Sequence, residues 1–337
     1  MIMNAPGTPF PHLSLPGGKA RFAPLAHLAL IVVDGEDAKN FLHRQLTNDI
    51  ETLGPNAARY AAWCTPKGRM LANFLVFRRG EAYCLLLSAD LCAEMLKRLG
   101  MFVLRSKVRL SALGLHSFGV YAPDCKRLGK ALAAAGLAAP REIMQSLSLP
   151  ATPSPAAEAQ ATVIRLDETR ALVVAETGTA AACQRRLSSR ATQADTSFWQ
   201  WLDIEHGIVR IDAASREAFV PQMVDFDTIG GVSFKKGCYP GQEVIKRVQT
   251  RGEVKRHLYR IHAALPLEAG SALFAPAAED SEAAGVIVNA APVPEDEGKF
   301  AALAVIRDGE AGAREARLGA PDGPALSCTR VFPAVMP

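Results

Sequence analysis

Gly230-Gly231-Val232-Ser233-Phe234-Lys235-Lys236-Gly237-Cys238-Tyr239-Pro240-Gly241-Gln242-Glu243 is the stretch on which the reading of this chain turns. Pro240-Gly241 carries the residues of a type II turn, because proline presets φ at the first corner and glycine accepts φ > 0 at the next. Gly231 and Gly237 bracket Val232-Ser233-Phe234, so Cys238 is expected on a loop. Lys235 and Lys236 stand just before it, and nearby cations favour thiolate over thiol, making the sulfur more nucleophilic and a better soft-metal ligand. A buried, inert cysteine is the competing reading. Gln242 and Glu243 suit the edge of a heterocycle that alternates donors and acceptors, or else a helix start facing solvent.

Outward from this run the charge is uneven. Residues 235–260 hold eight Lys or Arg against Glu243 and Glu253, a local +6 within a chain of net +4. A positive region around one motif suits an anionic ligand or partner. The cysteines, at 64, 84, 92, 125, 183, 238 and 328, form no CxxC pair, and the histidines form no HxxxH pattern, so no metal is assigned and reduced thiols are expected. There is no GxSxG, P-loop or GxGxxG opening a helix, which removes local support for nucleophilic hydrolysis, nucleotide hydrolysis and dinucleotide chemistry. No window approaches the roughly 20 apolar residues of a membrane span, and the start lacks a signal pattern. A folded cytoplasmic protein with no membrane partner is expected.

The element order reads as α+β. Leu28 to Val33 predicts a buried strand, followed by a helix capped by Asp37 and carrying Phe41, Leu42 and Leu46 on one face. Two strands, Phe74 to Phe77 and Tyr83 to Ser88, flank an Arg79-Gly80 turn and lead to a helix from about Asp90 to Leu99. Short strands near Val108 and Val120 precede a helix near Leu128 to Leu137. The Ala-, Pro- and Ser-rich stretch 138–161 reads as a surface connection. Strands resume at Val163 to Leu166 and Ala171 to Ala175, and Phe198, Trp199, Leu202 and Ile204 predict a helix running to Glu205. From about Lys255, strand-like runs at His257 to Ile261, Val286 to Val288, Ala301 to Ile306 and Thr329 to Phe332 predict a small β-barrel. The domains are therefore drawn as 1–254 and 255–337.

Two further groups stand out. Trp199 and Trp201 offer faces for a flat ligand, or core packing. Glu205, beside apolar Ile204, needs a cationic or N–H-rich partner if buried, and Arg210 is one internal candidate.

The opening run is similar to the diagnostic motif of the YgfZ family and its mitochondrial iron–sulfur assembly relatives. Gln45-Leu46-Thr47-Asn48-Asp49, Cys64-Thr65-Pro66-Lys67-Gly68-Arg69-Met70, and Ile204-Glu205-His206-Gly207 leading to Ile211-Asp212-Ala213 extend the resemblance over about 28–262. It implies the three-lobed fold of the glycine-cleavage aminomethyltransferase around a central folate pocket, with a C-terminal barrel. It also implies a tetrahydrofolate-binding accessory protein for assembly or repair of iron–sulfur enzymes, including those that thiolate tRNA, with Cys238 as functional thiol and Lys236 beside it. Tetrahydrofolate or a one-carbon derivative is the implied cofactor; iron–sulfur enzymes and assembly proteins are the implied partners, with an indirect link to tRNA. Trp199 matches a folate-site tryptophan and Glu205 the carboxylate that holds the pterin. Tyr239, Gln242, Glu243 and Arg247 complete the expected folate set. A second family tryptophan falls at Leu28 or His27, and the transferases' Asp-Asp pair at Ala72 and Asn73, which removes the acid/base group of aminomethyl transfer. The alternatives are a folate-dependent one-carbon transferase and a tRNA-binding module using 235–260.

Overall fold

Four consecutive buried residues, Leu30 to Val33, make the strand Leu28–Asp34 a central one with both faces covered. The computed structural model describes residues 18–150, 159–251, 254–276, 283–307 and 315–332. In it this strand belongs to a five-stranded sheet ordered Ala58–Cys64, Met70–Arg79, Ala82–Ser88, Leu28–Asp34, Arg109–Ala112. The predicted hairpin at Arg79-Gly80 is present, with Arg79 paired to Ala82. The helices Ala38–Gln45 and Cys92–Gly100 pack on strands of this sheet. Asp37 occupies the N-cap position of the first helix without capping it. Its carboxylate instead accepts the Lys107 N–H at 2.8 Å, tying the helix start to a distant loop.

A six-stranded sheet runs Ala191–Gln193, Ala20–Pro24, His116–Tyr121, Arg170–Ala175, Ala159–Arg165, Ser146–Pro150. Phe22, Phe118, Val120, Val163 and Val173 cover it with Leu128 and Leu132 of the helix Cys125–Ala134 and Leu187 of the helix Thr177–Leu187. Each such side chain contributes about 1.5–3 kcal/mol by leaving water. The helix expected from Leu128 begins at Cys125 because the Asp124 carboxylate accepts the Arg127 N–H at 2.8 Å. The stretch 138–161 is not all connection. Ser146–Pro150 and Ala159–Arg165 pair antiparallel as the sheet's edge, and residues 151–158 lie outside the described residues.

The final strands close a barrel in the order Arg256–Ala263, Phe300–Arg307, Gly285–Pro292, Ala272–Phe274, Glu315–Leu318, Ala325–Arg330. Tyr259 with Ile261, and Ala302 with Ala304 and Ile306, fill its interior at the two-residue spacing of strands. The last strand ends at Arg330, earlier than the predicted run to Phe332, where it pairs with Tyr259 to close the barrel. No helix among the described residues is long and apolar enough to cross a membrane.

The chain divides into two compact units. One comprises Ala62–Asn73 with the described residues from Ser197 onward, barrel included; the other comprises the described residues through Ala61 with Phe74–Thr196.

Candidate functional site

Cys238 is exposed on a loop that its neighbours hold still. The Tyr239 carbonyl accepts the Gln242 N–H at 3.2 Å, and Gly241 has φ +82°, the turn that Pro240-Gly241 predicts. Gln242 then opens the helix Gln242–Arg251. Its side-chain Nε2 reaches back to donate to the Gly237 carbonyl at 3.1 Å, bracing the segment that carries the sulfur. Lys236 and Tyr239 point inward on either side of the exposed Gly237 and Cys238, at 8% and 6% exposure. The Lys236 Nζ lies 5.0 Å from the Tyr239 ring centroid, a cation–π contact. Burial, with the Cys64 thiol adding to it, pushes the Tyr239 phenol above its usual range.

The other thiols differ from Cys238. Cys64, Cys84, Cys92, Cys183 and Cys328 are buried, and Cys125 is the second exposed one. Burial pushes Cys84 and Cys328 up to about 12 and raises Cys64, Cys92 and Cys183 as well. All seven are free of disulfides.

A second turn clamps the first. Gly68 N–H donates to the Thr65 carbonyl at 2.8 Å, and Gly68 has φ +74°. A methyl group on Gly241 would stand 2.5 Å from the Thr65 carbonyl oxygen and 2.7 Å from the Gly68 Cα. Two glycine turns thus lie backbone against backbone. The segments Cys64-Thr65-Pro66-Lys67-Gly68-Arg69-Met70 and Cys238-Tyr239-Pro240-Gly241, far apart in sequence, form one structure.

Glu205 ends the helix Thr196–Glu205 and is 5% exposed. Its Oε1 stands 2.5 Å from His262 Nε2, and its Oε2 lies 3.5 Å from Arg260 Nε. Arg260 also donates to the Glu205 carbonyl at 2.5 Å. Burial lowers the Arg260 pKa, and the Glu205 carboxylate raises it in return. The expected internal partner, Arg210, turns instead to Asp203 at 3.7 Å. Arg260 and His262 were missed by the sequence reading, though they stand two apart on one strand and so share a face.

Asn73, at the position of the transferases' carboxylate pair, has both ends of its amide occupied. Nδ2 donates to the Val209 carbonyl at 2.8 Å, and Oδ1 accepts the Ile211 N–H at 2.9 Å. From the other side Asn289 accepts the Arg210 N–H and donates to the Arg210 carbonyl, both at 2.9 Å. Two amides therefore grip three successive residues. Asn73→Asp should destabilise the protein by about 1–3 kcal/mol in urea unfolding, because a carboxylate oxygen would face the Val209 carbonyl. Unchanged stability would show that the grip contributes nothing.

Among the remaining expected residues, Trp199 and Trp201 are core at 1% and 5% exposure. Trp201 Nε1 and Tyr239 Oη are buried donors with no hydrogen-bond partner among the described residues. Glu243 and Arg247 are exposed, one helical turn apart. Leu28 is half-buried at the first position of its strand, paired with Ser88, and Ala72 is fully buried.

A family model described as the GCVT N-terminal domain matches residues 19–102. The crystal structure of glycine cleavage system aminomethyltransferase T from Bartonella henselae superposes with a TM-score of 0.73 at 18% identity, covering 94% of this chain and 86% of that one. That likeness establishes an aminomethyltransferase-like α+β fold with a C-terminal barrel. The tRNA-modifying protein YgfZ of Shigella boydii is 33% identical over 285 residues, 82% of this chain and 81% of its own. The protein of the same name from Yersinia pseudotuberculosis is 33% identical over 286 residues, 84% of this chain and 81% of the relative. With that identity sustained over four-fifths of both sequences, and the fold in agreement, this chain belongs to the YgfZ family.

Proposed function

We propose that this chain is a cytoplasmic, tetrahydrofolate-binding accessory protein for the assembly or repair of iron–sulfur enzymes, including those that thiolate tRNA, and that it acts through Cys238. The observation that carries the reading is the exposed Cys238 sulfur on a loop braced by Gln242 and locked by the Gly68 and Gly241 turns. A thiol held so can exchange with a partner's thiol, ligate a cluster briefly or attack an electrophilic carbon. Relatives named as tRNA-modifying proteins support the link to tRNA.

The residues present fit a folate. An ionised carboxylate offers about four lone-pair sites, and Arg260 and His262 occupy one direction on each Glu205 oxygen. Acceptor capacity remains for pterin N–H groups. Trp201 Nε1 and Tyr239 Oη are donors with no partner among the described residues. Bound tetrahydrofolate would supply one-carbon carriage. Glu205 would orient it, with Trp199 as the other contact carried over from the family pattern and Tyr239, Gln242, Glu243 and Arg247 as further expected contacts. With its amide spent on Val209 and Ile211, Asn73 offers no base for aminomethyl transfer, which argues against the transferase reading.

Tetrahydrofolate should bind in the micromolar range, about −8 kcal/mol, and alter the intrinsic tryptophan fluorescence. Glu205→Gln should weaken binding by about 1.5–3 kcal/mol, since one acceptor becomes a donor. No fluorescence change together with no calorimetric heat would refute the folate site, and unaltered affinity in Glu205→Gln would leave Glu205 only as a structural partner of Arg260 and His262. The accessory role is tested by cluster occupancy of candidate client enzymes with the protein present or absent, and equal occupancy would refute it.

A further inference from the structure

The unit built on the five-stranded sheet carries a feature that the folate and thiol chemistry does not use. A cavity of about 860 Å³ opens between the helix Ala38–Gln45 and the turn that follows Cys92–Gly100, lined by Phe41, Arg44, Phe102, Val103, Leu104 and Arg105 among others. Met101, Phe102 and Leu104 are 61%, 47% and 87% exposed, three of the five exposed large apolar side chains among the described residues. Such a cluster, unlike a scattered leucine, marks an interaction surface. Leu104 also has φ +46°, a left-handed backbone that L side chains rarely adopt, so its side chain is displayed outward at conformational cost.

The charges around the groove decide what it fits. Lys107 pairs with Glu36 at 2.7 Å, Arg109 with Asp34 at 3.1 Å and Arg98 with Glu94 at 3.4 Å. Asp37, the carboxylate in the lining, is held by the Lys107 N–H. Arg44 and Arg105 are exposed and have no acidic partner among the described residues. The groove therefore combines apolar side chains with two guanidinium groups that have no acidic partner among the described residues, against the single carboxylate of Asp37.

We propose that this groove docks an acidic amphipathic segment of a partner protein, with leucine or phenylalanine anchors on Phe102 and Leu104 and carboxylates on Arg44 and Arg105. Arginine pairs carboxylates bidentately, and helix-in-groove recognition uses apolar anchors of this kind. Nucleic acid fits less well, because a phosphate track needs a run of cations and this floor is mainly apolar. A second copy of the chain fits less well too, since a twofold contact here would bring like charges together.

The test is fluorescence anisotropy on the full chain with a labelled peptide that carries leucines at helical spacing and glutamates between them. Wild type should bind it, and a lysine-for-glutamate version should not bind. Arg44→Glu with Arg105→Glu should weaken binding roughly tenfold or more. Leu104→Gly should do the same, and because glycine accepts the left-handed backbone this variant should remain at least as stable, which separates loss of docking from loss of fold. The proposal fails if the two peptides bind alike, if neither binds up to about 1 mM, or if both variants bind as wild type does. It also fails if an oligouridine binds and is lost in the charge-reversed variant, or if wild type sediments as a dimer that this variant dissociates.

Discussion

Replacing Cys238 with alanine should abolish support of iron–sulfur enzymes while leaving the unfolding midpoint of the protein where it was. The sulfur is exposed, so its removal takes nothing from the core, and such surface changes stay within about ±0.5 kcal/mol. Alanine at Cys84, which is 1% exposed, supplies the contrast: it empties a packed position and should cost about 1–3 kcal/mol, with activity falling only as folded protein is lost. Cluster occupancy in cells that lack the chain and are complemented with each variant reads the first effect, and urea unfolding reads the second. Iodoacetamide gives an independent view, since in the folded protein Cys238 and Cys125 should label and the five buried thiols should resist. Full complementation by the alanine variant, or a Cys238 that resists alkylation until the protein unfolds, would end the assignment.

Gly241→Ala should cost about 3–4 kcal/mol. Part of that is the left-handed backbone at φ +82°, which costs an L residue about 1–2 kcal/mol. The rest comes from the Thr65 carbonyl oxygen and the Gly68 Cα, at 2.5 and 2.7 Å from the new methyl, which are main-chain atoms and cannot rotate away. Gly230→Ala is the matched control. Its φ is +79°, but nothing lies within 4 Å of the added carbon, so only the conformational share, about 1–2 kcal/mol, should appear. The denaturation midpoints should separate with unchanged m-values. Equal midpoints would mean that the two turns do not press on each other.

What was legible in the sequence was local chemistry. The Pro240-Gly241 turn, the Arg79-Gly80 hairpin and the barrel strands at Arg256–Ala263 and Phe300–Arg307 follow from backbone preferences and two-residue alternation, and they stand where they were read. The strands Ala272–Phe274 and Glu315–Leu318 were not found, because three or four residues are too few to show a period. Ser146–Pro150 was lost inside a Pro- and Ala-rich stretch, although its Ser-Leu-Ser-Leu alternation is the pattern of a half-buried strand. In the site, the need of Glu205 for a cation was legible and the identity of that cation was not. Arg210 is near in sequence, whereas Arg260 is brought in by the barrel. Asn73 was read as the absence of a carboxylate, and its grip on Val209 and Ile211 could not be anticipated, since main-chain partners leave no mark on residue type. Asp37 shows the same limit, as its oxygen finds the Lys107 amide rather than the helix it precedes.

The meeting of the Gly68 and Gly241 turns also bears on the order in which the molecule is born. Among the described residues, the unit that carries Cys238 takes Ala62–Asn73 from the first half of the chain and the rest from the second. Contacts so distant along the chain form slowly, because a large loop must close before they reward it. During synthesis the early turn leaves the ribosome long before Pro240-Gly241 exists to meet it, so the thiol loop takes shape only when translation is well advanced. A fragment cut from the second half alone would lack the surface against which the loop is set, while supplying Ala62–Asn73 in trans should restore it. The thiol loop therefore gains its supporting surface only from a contact that closes late in synthesis.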